Sequence, residues 1–109
     1  MKVEKQTSNI TQKDLFNMKS ASASMKDFVG AKIQAVGAAM VVDVDENGED
    51  ATFNYIMDSD GNYYSGSSVV VRKSMGDLID MIDASETPID ITFDSRKGGK
   101  GSVLALKLL

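Results

Sequence analysis

Three segments of the chain carry side chains whose types and spacing could do chemistry. The first is acidic. Asp43-Val44-Asp45-Glu46-Asn47-Gly48 opens like a calcium-binding EF-hand loop, with oxygen ligands at its first, third and fifth positions and glycine at its sixth. The bidentate glutamate needed at the twelfth position is Asn54 here, and no helix is expected on either side. The segment therefore reads as an acidic β-turn, and Asp58-Ser59-Asp60-Gly61 reads the same way. The second is basic: Arg96-Lys97-Gly98-Gly99-Lys100-Gly101-Ser102. A phosphate loop requires Lys directly before its Ser or Thr and a helix after it. Gly101 stands there instead, and a strand pattern follows. What remains is a basic hairpin whose glycines let backbone N–H groups approach phosphates closely. The third is aromatic. Tyr55, Tyr63 and Tyr64 can stack on nucleic-acid bases, each stack being worth about 1–3 kcal/mol, because a phenol tolerates exposure. Phe93 alternates with acids and reads as core.

Other chemistries are closed off by composition. The chain has no Cys, which excludes disulfides, thiolate metal sites and cysteine nucleophiles. It has no His, so the commonest general base and metal ligand is missing and a Ser-His-Asp triad is impossible. No carboxylate pair stands out for acid–base work. No enzyme and no cofactor is expected. The net charge is −4, yet the charge is segregated. Met1–Val36 holds six Lys and three acids, Asp43–Asp60 holds seven acids and no base, and Ser95–Leu109 holds four bases and no acid. Segregation allows one basic face on an acidic body. No apolar run approaches the ~18 residues of a membrane span, so no membrane partner is expected and a cytoplasmic location is.

The elements that must position these residues are read from periodicity. Residues 1–14 read as a flexible or loosely attached arm and 15–109 as one domain. Asp14–Lys19 is expected as a first strand, with a helix from a Thr11 cap as the competing reading. Ser20–Ser24 reads as a loop and Met25–Val29 as a helical turn stopped by Gly30. Ala31–Val42 is a long strand with Ile33, Ala35, Ala39 and Val41 on one face and Val36, Ala38, Met40 and Val42 on the other. Asn47-Gly48 signals a type I′ hairpin turn into Ala51–Met57, which places Phe53, Tyr55 and Met57 on one face. A second turn at Asp58–Asn62 leads into Tyr63-Tyr64. From a Ser67 or Ser68 cap, Val71, Met75, Leu78, Ile79 and Ile82 make the apolar stripe of an amphipathic helix. Pro88 ends it, and Ile89, Ile91 and Phe93, then Leu104, Leu106 and Leu108, alternate as two last strands. The expected fold is mainly β with one helix: an OB-fold-like five-stranded Greek-key barrel with the helix between strands 3 and 4. An open α+β sheet with one covering helix fits the same string.

In that order, Phe16-Asn17-Met18, Met25-Lys26-Asp27-Phe28, Gly30, Asp60-Gly61-Asn62-Tyr63-Tyr64-Ser65, Asp77-Leu78-Ile79-Asp80 and Lys100-Gly101-Ser102-Val103 succeed one another. The series resembles the single-stranded DNA-binding proteins of small tailed phages that replicate by protein priming. The likeness covers roughly Leu15 to Leu109 and rests on order and spacing, not on any one piece. It implies a domain that coats displaced single strands during viral DNA replication, sequence-independently and without a cofactor, in the host-cell cytoplasm. It also implies contact with viral replication proteins and self-association along the strand. By position Tyr64 matches a family tyrosine expected to stack on bases, and Lys100 lies in the matching basic hairpin. Tyr55 and residues 1–14 have no counterpart in the pattern.

The expected site joins Lys26, Lys32, Arg96, Lys97, Lys100 and Lys107 as phosphate contacts to Tyr55, Tyr63 and Tyr64 as stacking platforms. The alternative is a protein–protein or virion assembly module in which the acidic hairpin is the contact face and the basic ends are incidental.

Overall fold

The computed structural model describes residues 1–98 and 101–109. Its organising element is the long strand β3 (Ile33–Val44), apolar on both faces over its second half and therefore covered on both. Strand β4 (Asp50–Asp58) runs antiparallel along it. The other edge of β3 serves two partners end to end: β6 (Ile89–Gly98) at Ile33–Ala35, and β1 (Lys2–Gln6) at Ala39–Val42. β5 (Tyr63–Gly66) pairs antiparallel with β4, β2 (Ala23–Ser24) pairs parallel with β5, and β7 (Gly101–Leu108) pairs antiparallel with β6. The strand order is β2-β5-β4-β3-β6-β7, with β1 beside β3. This mixed sheet curls into a half-barrel. A 3-10 turn, Met25–Phe28, carries the chain from β2 round to β6, where Val29 bridges Phe93 and the Gly30 N–H donates to the Phe93 carbonyl at 2.9 Å.

The helix α2 (Val69–Ala84) forms as its stripe demands: Ser68 caps it, accepting from the Val71 N–H, and Val71, Met75, Leu78, Ile79 and Ile82 are buried. They pack with Ile33, Ala35, Ala38, Ile56, Ile91 and Phe93 into the main core, each large side chain contributing about 1.5–3 kcal/mol. The opposite face of β3 and β4 is covered by a second helix, α1 (Gln12–Ala21), over Ile10, Leu15, Met18, Ala39, Val41 and Tyr55. No helix among the described residues is long and apolar enough to cross a membrane.

Several expectations are corrected. Seven strands and two α-helices are present among the described residues where five strands and one helix were expected. Asp14–Lys19 is helical, inside α1, because Thr11 and Asp14 form a reciprocal capping box: the Thr11 Oγ1 accepts from the Asp14 N–H at 3.1 Å and the Asp14 Oδ2 accepts from the Thr11 N–H at 2.9 Å. That pairing satisfies two otherwise orphaned donors and lets Leu15 and Met18 share one buried helix face. Residues 1–14, read as an arm, instead contribute β1 and the start of α1. Lys5 sits 2.9 Å from Asp80 and donates to the Gly76 carbonyl at 3.2 Å, Arg72 reaches Glu4 at 2.7 Å, and Thr7 is fully buried. Finally, the faces of β3 do not alternate strictly. A bulge between Ala35 and Gly37 inserts one residue, so Ile33 and Ala35 share the α2 core with Ala38, while Ala39 and Val41 face α1.

The two hairpin turns use one device twice. At Asp45–Glu49 and Asp58–Asn62 the first residue's Oδ1 accepts backbone N–H groups two and four residues on, and the fourth residue is a glycine in the left-handed region, Gly48 at φ 79° and Gly61 at φ 85°. Among the described residues no non-glycine has positive φ, so Asn47-Gly48 is not the expected type I′ turn. It is a three-residue loop closed by a glycine bulge.

Candidate nucleic-acid interface

The half-barrel leaves a seam between the end of β5 and the β6–β7 hairpin. The seam holds a cleft of about 450 Å³ lined by six serines (Ser24, Ser65, Ser67, Ser68, Ser95 and Ser102), by Lys26 and Gly66, and by Met25, Val29, Val103 and Leu104. Among the described residues no carboxylate lines it, on a chain that carries 16 Asp and Glu. Ser68 holds the seam together. Its hydroxyl caps α2 and donates to the Leu104 carbonyl of β7 at 2.7 Å. Gly66 sits where a Cβ would lie 2.9 Å from the Sδ of buried Met25, so this wall of the cleft admits no side chain. Hydroxyl groups and exposed backbone beside a lysine can donate hydrogen bonds to anionic oxygens without demanding a particular base.

The expected cations are not gathered on one face. Lys26 lines the cleft from the 3-10 turn. In the β6–β7 ladder Lys97 lies opposite Ser102, on the same face as the Ser95–Leu104 pair, whereas Arg96 opposite Val103 and Lys107 opposite Thr92 occupy the other face. Arg96 is also 3.6 Å from Asp94. Lys32 sits apart. It is 3.6 Å from Asp90 and lines a separate depression with Asp58 and Asp60, so its surroundings are acidic. Lys100 lies outside the described residues.

Two of the three tyrosines are largely buried. Tyr55 is buried in the α1 core, its ring stacked on Phe53 at a centroid distance of 6.3 Å, and burial pushes its phenol pKa up. Tyr64 is only 7% exposed. Its ring meets Phe28 edge-on at 4.9 Å and its hydroxyl donates to the Asp58 Oδ2 at 2.8 Å. Burial and the Asp58 carboxylate together push the Tyr64 pKa up to about 12. Asp58 has the opposite balance. Burial opposes its ionisation, but hydrogen bonds from Tyr64, Asn62 and Asp60 outweigh that and hold its carboxyl below the usual range. Tyr63, the neighbouring residue on the strand, is half-buried and donates to the Asp14 Oδ1 at 2.7 Å, which raises its own pKa. Strand parity is the reason: two consecutive residues on β5 cannot face the same side.

The serines are the residues that motif reading passed over. Their signal was partial: Ser65, Ser95 and Ser102 lie beside expected strand ends, Ser24 closes an expected loop, and Ser67 and Ser68 read as helix caps. Only the curling of the sheet brings them together. No known protein family, characterised protein or solved structure matches the chain.

Proposed function

We propose that this chain is a non-catalytic, sequence-independent single-stranded DNA-binding protein that coats and protects displaced strands during viral DNA replication. The observation that carries the reading is the carboxylate-free, serine-lined seam with Lys26 inside it and Lys97 beside it, on an otherwise acidic body. Phosphates of an extended strand would accept from the hydroxyls of Ser24, Ser65, Ser67, Ser95 and Ser102 and pair with Lys26 and Lys97, with Arg96 and Lys107 engaging from the reverse face of the hairpin. The strand is single because a cleft of this size does not take in a duplex, and hydroxyls that both donate and accept do not tell one base from another. Neither a cofactor nor a catalytic group has a part in it. The succession β3, β4, β5, α2, β6, β7 supports an OB-like barrel core with its helix between the third and fourth core strands, to which β1, α1 and β2 are additions. The resemblance over Leu15–Leu109 to phage single-stranded DNA-binding proteins points the same way, and with it to the host-cell cytoplasm, to replication proteins as partners and to self-association on the strand.

Anisotropy of a labelled oligo-dT, titrated at several salt concentrations, tests the reading. Three or four phosphate contacts predict that log affinity falls with log salt at a slope of about −2 to −3. Replacing Lys26 and Lys97 together by Ala should weaken all single strands alike and lower the slope by about one to two. No binding, a slope near zero, or equal affinity for duplex would overturn the proposal in favour of a protein–protein module.

A further inference from the structure

The turn that joins β3 to β4 sets an asparagine amide beside a backbone nitrogen that no side chain shields. Asn47 is exposed, and its side chain makes no hydrogen bond among the described residues. Gly48 follows it, also exposed, and a Cβ built there would meet nothing within 4 Å. The other four asparagines lack this combination. Asn9 donates to the Val36 carbonyl at 2.9 Å and accepts from the Thr7 hydroxyl at 2.8 Å. Asn54 is 2% exposed and donates to the Ser68 carbonyl, Asn62 donates to the Asp58 Oδ2, and Asn17 contacts the Tyr63 hydroxyl. Ile10, Met18, Tyr55 and Tyr63 follow these four, so a bulky side chain stands beside each succeeding nitrogen.

We infer that Asn47-Gly48 is a site of spontaneous covalent modification, at which the asparagine converts to aspartate and isoaspartate through a cyclic imide. Asparagine is among the chemically labile residues. The Gly48 nitrogen gives its proton to hydroxide and bonds to the Asn47 Cγ. The Cγ–Nδ2 bond breaks, and Nδ2 takes up a proton and leaves as ammonia. Water then opens the five-membered ring. Attack at Cγ restores the main chain and leaves an aspartate. Attack at the main-chain carbonyl carbon leaves isoaspartate, with the chain running on through the former side chain. One water enters and one ammonia leaves, so the step needs no oxidant, reductant or cofactor.

One bond opposes ring closure: the Gly48 N–H donates to the Asp45 carbonyl at 3.1 Å. At the net strength of a single hydrogen bond, opening it slows the attack by about two- to tenfold. Exposed loops open on the order of nanoseconds to microseconds, far faster than the chemistry, so the bond delays the reaction without blocking it. The β4–β5 turn shows that the aspartate product fits. It uses the same hydrogen bonds from its first residue, and Asp60 stands there where Asn47 stands in the first turn. The aspartate branch therefore keeps the hairpin and adds one negative charge to the seven acids of Asp43–Asp60. The isoaspartate branch puts an extra methylene into the backbone of a loop closed by the Asp45 Oδ1 on the Asn47 and Glu49 N–H groups, and that closure is lost.

Ageing the folded protein at mildly alkaline pH, followed by peptide mapping with mass spectrometry, tests the site. The peptide that holds Asn47 should gain the mass difference between an amide and an acid. Chromatography should resolve two products, one of them coeluting with the same peptide from Asn47→Asp. The rate in the folded protein should lie within about tenfold of the rate in urea, the delay expected of one hydrogen bond. Asn47→Gln, whose longer side chain must close a six-membered ring, should keep its amide over the same period. If Asn47 keeps its amide in the folded protein and loses it only in urea, the turn shields it and the inference fails. It fails equally if another asparagine reacts first, or if Asn47→Gln gains the mass at the wild-type rate.

Discussion

The hydroxyl of Tyr64 donates to the Asp58 carboxylate at 2.8 Å across the β4–β5 turn, from a ring buried against Phe28 and Phe93. The same carboxylate accepts from the Asp60 and Asn62 backbone N–H groups at 3.0 and 2.8 Å. One turn aspartate thus closes the hairpin and holds the tyrosine inward. A residue that the sequence offers as a stacking platform is a structural strut.

Tyr64→Phe keeps the ring and removes the bond, leaving Asp58 with its backbone donors. It should cost about 1.5–3 kcal/mol, the range for a hydrogen bond to a charged group. Urea denaturation measures that loss, and the affinity for oligo-dT should not change. A tenfold drop in affinity with unchanged stability would return Tyr64 to the binding surface.

Alkaline titration should report the same bond. The Tyr64 pKa is raised from 10 to about 12, so between these values the folded state holds a proton that the unfolded state has released. Its stabilising contribution is complete below pH 10 and is lost as pH rises towards 12. Tyr55 and Tyr63 are shifted upward too, by burial and by the Asp14 bond respectively. Phenolate absorbance of the native protein should therefore lag that of the urea-unfolded chain throughout its rise. Coincident curves would contradict the buried placement of the rings.

Gly66→Ala sets a Cβ 2.9 Å from the Sδ and 3.5 Å from the Cγ of fully buried Met25, so the methionine must shift within the core. Overpacking of this kind costs about 1–3 kcal/mol. The penalty should shrink when Met25 is first replaced by Ala, because the clash then has no second party. A double-mutant cycle in urea detects that coupling, and strictly additive costs would disprove the contact.

Deleting residues 1–6 removes β1, whose four register pairs with β3 run from Lys2↔Val42 to Gln6↔Ala39. At about 0.5–1.5 kcal/mol for each net hydrogen bond, one per pair, the loss should be about 2–6 kcal/mol. Amide exchange at Ala39–Val42 should rise with it. Unchanged exchange there would mean that these residues are the loose arm that composition suggests.

Elements whose signal is local could be read from the chain directly. The stripe Val71-Met75-Leu78-Ile79-Ile82 with a serine before it specifies α2, since period and cap lie within one continuous segment. The hairpin from β3 to β4 and the two Asp-initiated turns are equally local. α1 was legible only as an alternative, because Leu15, Phe16 and Met18 suit either period and the Thr11–Asp14 pair decides between them. β1 gave no sign of itself. Its polar side chains are satisfied by Gly76, Asp80 and Arg72 of a helix some seventy residues away.

The candidate site divides in the same way. Sequence alone determined that no histidine or cysteine chemistry is open to this chain, that its charge is segregated and that lysines sit in the 3-10 turn and the last hairpin, because these are properties of residue type and order. Only the tertiary structure decided which faces those residues share. A bulge in β3 exchanged its faces, strand parity turned Tyr64 inward and set Arg96 apart from Lys97, and Asp90 paired with Lys32. The curl of the sheet brought six serines from distant positions to one seam. Side-chain direction in a strand reverses with every residue, so a single inserted residue or a change of partner redirects every later side chain of that strand, and composition carries no record of it.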